Sequence, residues 1–304
     1  MAVYVVGDFL RETRIRKGYT QEEVSYGICT TASLSRIENG AQKPGRLILE
    51  KLFERLGTEN NLFNSFVSRE EMELYSAIQE LIRNITDDDV AKIEAQIEVV
   101  ERLAVNSSEL EHQCLYFAKG ELARQKEKDD EKAMEMYMKA IHITLPDFDG
   151  KNPLRNNLLT FDEIMIINSM AILYAHDEES IMNAIKLDIW LKDYMENKIV
   201  DGKMKTAKYP MIVYNLSNWF GNKKCHTEAL KMAEIGVDFC IRYGNLAFFP
   251  ILIVNKGVAL AEIGEKEEAN KCLHQAITIF DAMNQTDHIQ PVIDWCREQY
   301  QMNL

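Results

Sequence analysis

The chain has 304 residues, 46% hydrophobic and 27% charged, proportions that suit a globular protein of two domains, or one small domain joined to a larger array. No run of about 18 apolar residues exists to span a membrane. The opening residues lack the basic start and apolar stretch of a secretory signal, so a cytoplasmic protein is expected. The net charge of −13 is unevenly divided: residues 1–57 carry nine basic and seven acidic side chains, a balance of +2, and the remainder 26 and 41, a balance of −15. An acidic body with a mildly basic head suits a DNA reader that carries a large second domain.

Helical spacing begins at once. Phe9, Leu10, Thr13, Ile15 and Arg16 predict a first helix closed at Lys17-Gly18, where glycine accepts left-handed geometry. Thr20 followed by Glu23 is a capping-box pattern. It starts a second helix running to about Tyr26, with Val24 inward and Gly27 permitting the turn. Thr30 or Thr31 caps a third helix over residues 32–38, with Leu34 and Ile37 on one face and Asn39-Gly40 as its stop. Pro44 breaks the next loop, and Leu47, Leu49, Leu52, Phe53 and Leu56 make a fourth helix ending at Gly57.

Four short helices with a tight turn between the second and third describe a helix-turn-helix domain, whose second element enters the major groove. The candidate DNA contacts follow from that placement. Gln21, at the exposed start of the second helix, is positioned to donate to a phosphate. Thr30, Thr31, Ala32, Ser33, Ser35 and Arg36 offer small side chains, hydroxyls and one arginine that approach base edges and phosphates without steric conflict.

The segment from Tyr19 to Pro44 resembles the helix-turn-helix of the Cro/phage-repressor class. Its Thr-Gln opening, Ile-Cys turn and Ser-Arg-Ile-Glu ending are similar, more narrowly, to the PlcR/Rgg branch. The resemblance implies that Arg14 and Glu38 form an ion pair with a structural role.

Beyond residue 60 every segment reads as helix. Small residues recur at tetratricopeptide offsets: Gly257, Ala269 and Ala276; Ser217, Ala229 and Gly236; Gly120, Ala133 and Ala140; and, more loosely, Met170 and Ala184. A degenerate first pair is expected over residues 70–103 and a capping helix over 289–301. The predicted fold is therefore all-α: a helix-turn-helix domain at residues 1–58, a linker or linker helix at 59–69, and at 70–304 a right-handed superhelix of about five helix pairs with its cap.

Asn168, Asn215 and Asn255 occupy one position in three successive first helices, each inside an apolar stretch. A side-chain amide carries a donor and an acceptor, so a row of them can hold a peptide backbone as a neighbouring strand would. Equally, each can satisfy a polar group of an adjacent helix. Asn218 lies three residues beyond Asn215, and Lys256 offers a cation for a peptide carboxylate, as does Lys119 at the matching position.

Head and body together resemble the Rgg/Rap/NprR/PlcR/PrgX group of peptide-pheromone receptors used in quorum sensing. That resemblance implies a homodimer whose binding to operator DNA is controlled by a short signalling peptide, with groove asparagines holding the peptide backbone. Two alternatives remain open: a helix-turn-helix-tethered scaffold for a protein partner, and a ligand-independent phage-type repressor.

Six cysteines without zinc spacing read as free thiols. No Walker loop, dinucleotide fingerprint, nucleophile elbow or HExxH helix occurs, so neither an enzyme, a metal nor a cofactor is expected.

Overall fold

The computed structural model describes residues 6–58, 69–86, 89–104, 109–154, 157–198 and 200–300. Among them there are helices and turns and no strand. The head contains α1 (Val6–Arg16), α2 (Gln21–Ser25), α3 (Thr31–Glu38) and α4 (Arg46–Arg55). The starts of α2 and α3 are set by side-chain caps. Thr20 accepts from the Glu23 amide while the Glu23 carboxylate accepts from the Thr20 amide, so both halves of the capping box form. Thr30 caps α3 by accepting from the Ser33 amide at 3.0 Å, which starts that helix one residue earlier than expected, at Thr31.

The expected connection over 59–69 lies outside the described residues except at its end, Arg69, where α5 begins. The helices that follow are α5 (Arg69–Thr86), α6 (Val90–Leu103), α7 (Glu109–Leu122), α8 (Asp130–Thr144), α9 (Phe161–Tyr174), α10 (Ile181–Asn197), α11 (Gly202–Asn222), α12 (His226–Tyr243), α13 (Phe249–Glu262), α14 (Lys266–Ala282) and α15 (Ile289–Tyr300). Among the described residues α5 packs with α6, α7 with α8, α11 with α12 and α13 with α14, and α15 follows as a terminal helix. The chain forms two compact units, one of Met1–Tyr174 with Ile199–Asp201 and the other of Ala175–Lys198 with Gly202–Leu304. The division falls between α9 and α10, where the repeat spacing in the sequence is loosest.

Within each unit the small residues do what tetratricopeptide spacing requires. A Cβ on Gly120 of α7 would stand 2.4 Å from the Tyr137 ring of α8, and one on Gly257 of α13 would stand 2.8 Å from Leu273 of α14. Nothing larger than hydrogen fits there unless the facing Tyr137 or Leu273 side chain shifts. At the equivalent place in α11 the Ser217 hydroxyl donates to the Ala229 carbonyl of α12 at 2.9 Å, so helix contact and polar satisfaction coincide.

In the first unit the head and body share a core. Leu10, Val24, Leu34, Ile37, Leu49, Leu52 and Phe53 cluster with Leu110 of α7 and Leu158, from the segment before α9. The loss of apolar area from water is the main force in such a cluster, about 25 cal/mol per Å². A buried polar group joins the neighbouring helices. Glu121 Oε1 accepts from the Tyr137 and Ser169 hydroxyls, each at 2.6 Å, and Arg124 pairs with the other oxygen. Two local features depart from a regular repeat. A π turn over Ala123–Glu127 follows α7, and α11 runs through Pro210.

Candidate nucleic-acid interface and repeat groove

The candidate reading face of the head lies on α3. Leu34, Ile37 and Glu38 turn inward, and this leaves Thr31, Ala32 and Arg36 exposed with Ser33 and Ser35 half-buried beside them. Thr30, the cap, is exposed at the N-terminal end. All six expected positions on or beside this helix therefore share an accessible strip. Beneath it lies a buried carboxylate. Arg14 Nε and Nη2 donate to the two oxygens of Glu38 at 2.6 and 2.9 Å, and Arg14 Nη1 donates to the Tyr19 carbonyl at 3.0 Å. The ion pair ties α1 to the end of α3, and its hydrogen bonds raise the Arg14 pKa.

Gln21 Nε2 also donates to Glu38, at 2.7 Å. The amide expected to reach a phosphate is thus engaged inside the head, where it satisfies the second carboxylate oxygen.

A second polar cluster, not anticipated from the sequence, fixes α4 against the start of α9. Arg55 Nη2 meets Glu163 Oε1 at 2.7 Å, with neither side chain exposed at all. Arg55 also donates through Nη1 to the Tyr26 carbonyl, at the turn between α2 and α3. Lys51 lies 2.8 Å from Asp162 and 3.3 Å from Glu54, and Glu54 accepts from the Phe161 amide at 3.0 Å. Tyr26 donates to Asp147, and the turn residue Gly27, at φ +67°, would place a Cβ 2.0 Å from the Thr144 carbonyl. The turn of the helix-turn-helix is thereby seated on the end of α8.

Three carboxylates, from Glu50, Glu54 and Asp162, surround the single ammonium of Lys51. Burial pushes the Glu54 carboxyl up to about 7; Lys51 opposes this, while Asp162 and Glu50 reinforce it. One signal for this cluster was legible. Thr160 and Glu163 make a capping box at the start of α9, with Glu163 accepting from the Thr160 amide at 2.6 Å. The pairing of that glutamate with an arginine 108 residues away was not.

In the second unit Asn218 of α11 and Asn255 of α13 are joined: Asn255 Nδ2 donates to Asn218 Oδ1 at 2.9 Å, partly buried. Asn215 is 8% exposed and donates to Asp188 of α10 at 3.4 Å. Asn168 belongs to the first unit and is 2% exposed. Lys256 pairs with Glu234 of α12 at 3.0 Å and lines a cleft of about 710 Å³ between α12, α13 and α14. The lining of that cleft includes Ile241, Ile253 and Lys271 but not Asn255, so Lys256 and the asparagine pair open on different faces. Lys119 pairs with Glu101 at 2.6 Å. No helix of the described residues is long and apolar enough to cross a membrane.

A head with an exposed second helix, carried on helical repeats, defines the class of helix-turn-helix proteins with a repeat domain. Residues 5–66 match the family model described as a helix-turn-helix domain. The chain is 36% identical over 63 residues to YqaF of Bacillus subtilis (strain 168), an uncharacterised HTH-type transcriptional regulator; the match covers 20% of this chain and 83% of that protein. Through this segment the chain belongs to the helix-turn-helix family of transcriptional regulators.

Over nearly its whole length it has the fold of PlcR. The Bacillus thuringiensis PlcR structure in complex with the peptide PapR7 and DNA matches with a TM-score of 0.61 at 18% identity, covering 95% of this chain and 99% of that one. The apo form of PlcR gives 0.59 at 17% identity, covering 95% and 98%. The apo competence regulator ComR of Streptococcus vestibularis gives 0.52 at 14% identity, covering 97% of each chain. The resemblance read from the residues thus holds at the level of the fold.

Proposed function

We propose that this chain is a DNA-binding transcriptional regulator, active as a homodimer, whose operator affinity is controlled by a short signalling peptide held in the repeat domain. The observation that carries the reading is the exposed strip on α3, held in place by the part-buried Arg14–Glu38 pair, on a chain that over nearly its whole length has the fold of a protein crystallised with a peptide and DNA. Residues 1–58 take the DNA-reading role, with Thr30, Thr31, Ala32, Ser33, Ser35 and Arg36 as its contacts and Gln21 as an indirect support through Glu38. Residues 70–304 take the peptide and dimerisation roles.

In the groove the asparagine pair Asn218–Asn255 is the favoured clamp. One amide–amide bond uses one donor and one acceptor, and each side chain keeps further capacity for a peptide backbone. Asn168 and Asn215, being buried, act on the positions of their helices. The peptide shifts the population of repeat conformations and so changes the separation of the paired heads.

The test is a gel-retardation assay on operator DNA recovered by selection, with and without fractionated small peptides from spent medium. A fraction that changes DNA affinity for the native chain, and loses that effect on Asn255→Ala, supports the reading. Retardation unaffected by every fraction would leave a DNA-binding protein without peptide control.

A further inference from the structure

Arg36 leaves α3 with one edge of its guanidinium already occupied. We propose that this directs its other edge to a guanine in the major groove, with Gln42 as the positioning residue. The inference rests on the DNA-binding reading above and deepens it to a base preference.

The geometry begins in the backbone. After α3 the chain returns on the helix it has left: the Ala41 and Gln42 amides both donate to the Arg36 carbonyl, at 2.8 and 3.2 Å. Gly40, at φ +70°, permits the reversal. That return sets the Gln42 side chain beside Arg36, and Arg36 Nε donates to Gln42 Oε1 at 3.0 Å. On the same edge Arg36 Nη2 donates to Ser33 Oγ at 3.2 Å, and Ser33 Oγ in turn accepts from Thr30 Oγ1 at 2.9 Å. A continuous hydrogen-bonded strip thus runs along the exposed face of α3, from its cap to the loop beyond it.

A guanidinium has five N–H donors in a rigid plane. Nε and one hydrogen of Nη2 form its side edge, which Gln42 and Ser33 occupy. The end edge, made by Nη1 and the second hydrogen of Nη2, carries two parallel donors. Of the four bases, only guanine offers two acceptors in the major groove, O6 and N7, at the spacing such a pair requires; adenine places a donor where O6 would be. The side-edge bonds also restrict a long, exposed side chain before it meets DNA, which lowers the ordering cost of a directional contact. A phosphate can accept the same two donors, so base replacement and salt dependence together separate the two partners.

The experiment uses the full chain and an operator recovered from random duplex DNA. Affinities are measured for the operator, for versions with each other base at each guanine, and for versions carrying 7-deazaguanine, which lacks the N7 acceptor. At one guanine per half-site the native chain is expected to lose roughly tenfold or more on base replacement. It should lose several-fold on 7-deazaguanine at the same place. Arg36→Ala should be indifferent to both changes. Gln42→Met should shrink the discrimination by roughly two- to tenfold, the worth of one hydrogen bond, with an unchanged melting temperature. Gln42→Glu keeps an acceptor for Nε, so it should keep the discrimination ratio even though its charge weakens binding to all DNA.

If Arg36→Ala instead weakens every sequence alike and lowers the salt slope by about one, Arg36 holds a phosphate and the proposal is overturned. A Gln42→Met ratio equal to that of the native chain removes Gln42 from the mechanism. Failure of the native chain to enrich any sequence would overturn the DNA reading, and this inference with it.

Discussion

Glu38 is the side chain on which the geometry of the head converges. It is 1% exposed and accepts from Arg14 and from Gln21, so the start of α2, the last turn of α1 and the end of α3 meet at one carboxylate. A buried charge with satisfied partners holds its neighbours in one arrangement, but removing one member leaves the others uncompensated. Glu38→Ala is expected to destabilise the chain by about 2 kcal/mol, read as a lower urea midpoint, because the half-buried Arg14 guanidinium loses its counter-charge and Gln21 its acceptor. Glu38→Gln, which keeps an acceptor, should cost less. The Arg14–Glu38 pairing was legible as a resemblance; the third partner, Gln21, was not. Its position at the exposed start of a helix suits a phosphate donor equally well, and only the fold brings Glu38 within 2.7 Å of it.

At the level of elements, α4 belongs to two structures at once. Leu47, Leu49, Leu52, Phe53 and Leu56 pack into the head, while Lys51 and Arg55, one turn apart, meet Asp162 and Glu163 at the start of α9. Arg55→Met should cost about 3–5 kcal/mol, since Glu163 is left charged and fully buried. The double variant Arg55→Met with Glu163→Gln should recover much of that loss in denaturant unfolding, because no unpaired charge remains.

The same cluster predicts a pH dependence. The Glu54 carboxyl is raised in the folded chain to about 7 from an ordinary value near 4.5. Between these values the folded state binds more protons than the unfolded state, so stability falls as pH rises. The contribution is present below about pH 4.5 and lost by passage through about 7. Thermal unfolding between pH 5 and 8 should show this decline, and Glu54→Gln should flatten it; an unchanged slope in that variant would place the titration elsewhere.

Across the whole molecule, the head has a balance of only +2 and the rest of the chain −15. Such a head has charge for few phosphate contacts, and the acidic charge of the remaining chain opposes them. Doubling the contacts by pairing two heads restores affinity, and this is the physical case for a dimer that reads two half-sites. Light scattering should therefore give a mass twice that of one chain under conditions of DNA binding. Retardation should depend on protein concentration more steeply than for a single site. A monomer that binds a lone half-site with full affinity would count against this arrangement.

The sequence by itself determined the helices and their order. Capping boxes, glycine stops and apolar spacing act within a turn or two of the chain, and small residues recurring 40 positions apart in the last two repeats, and more loosely before them, mark one repeat against the next. These are local or periodic signals, so they survive in one dimension. The tertiary structure decided which polar groups meet. Arg55 with Glu163, Lys51 with Asp162 and Asn255 with Asn218 are each separated by tens of residues or more, and each residue type alone reads as a solvated side chain. Charged and amide groups show their role only when burial removes water as the competing partner, and burial depends on how distant helices pack. That is why α3 and its outward face could be read from its own residues, while the cluster that seats the preceding turn on α8, and the partners of the asparagines, could not.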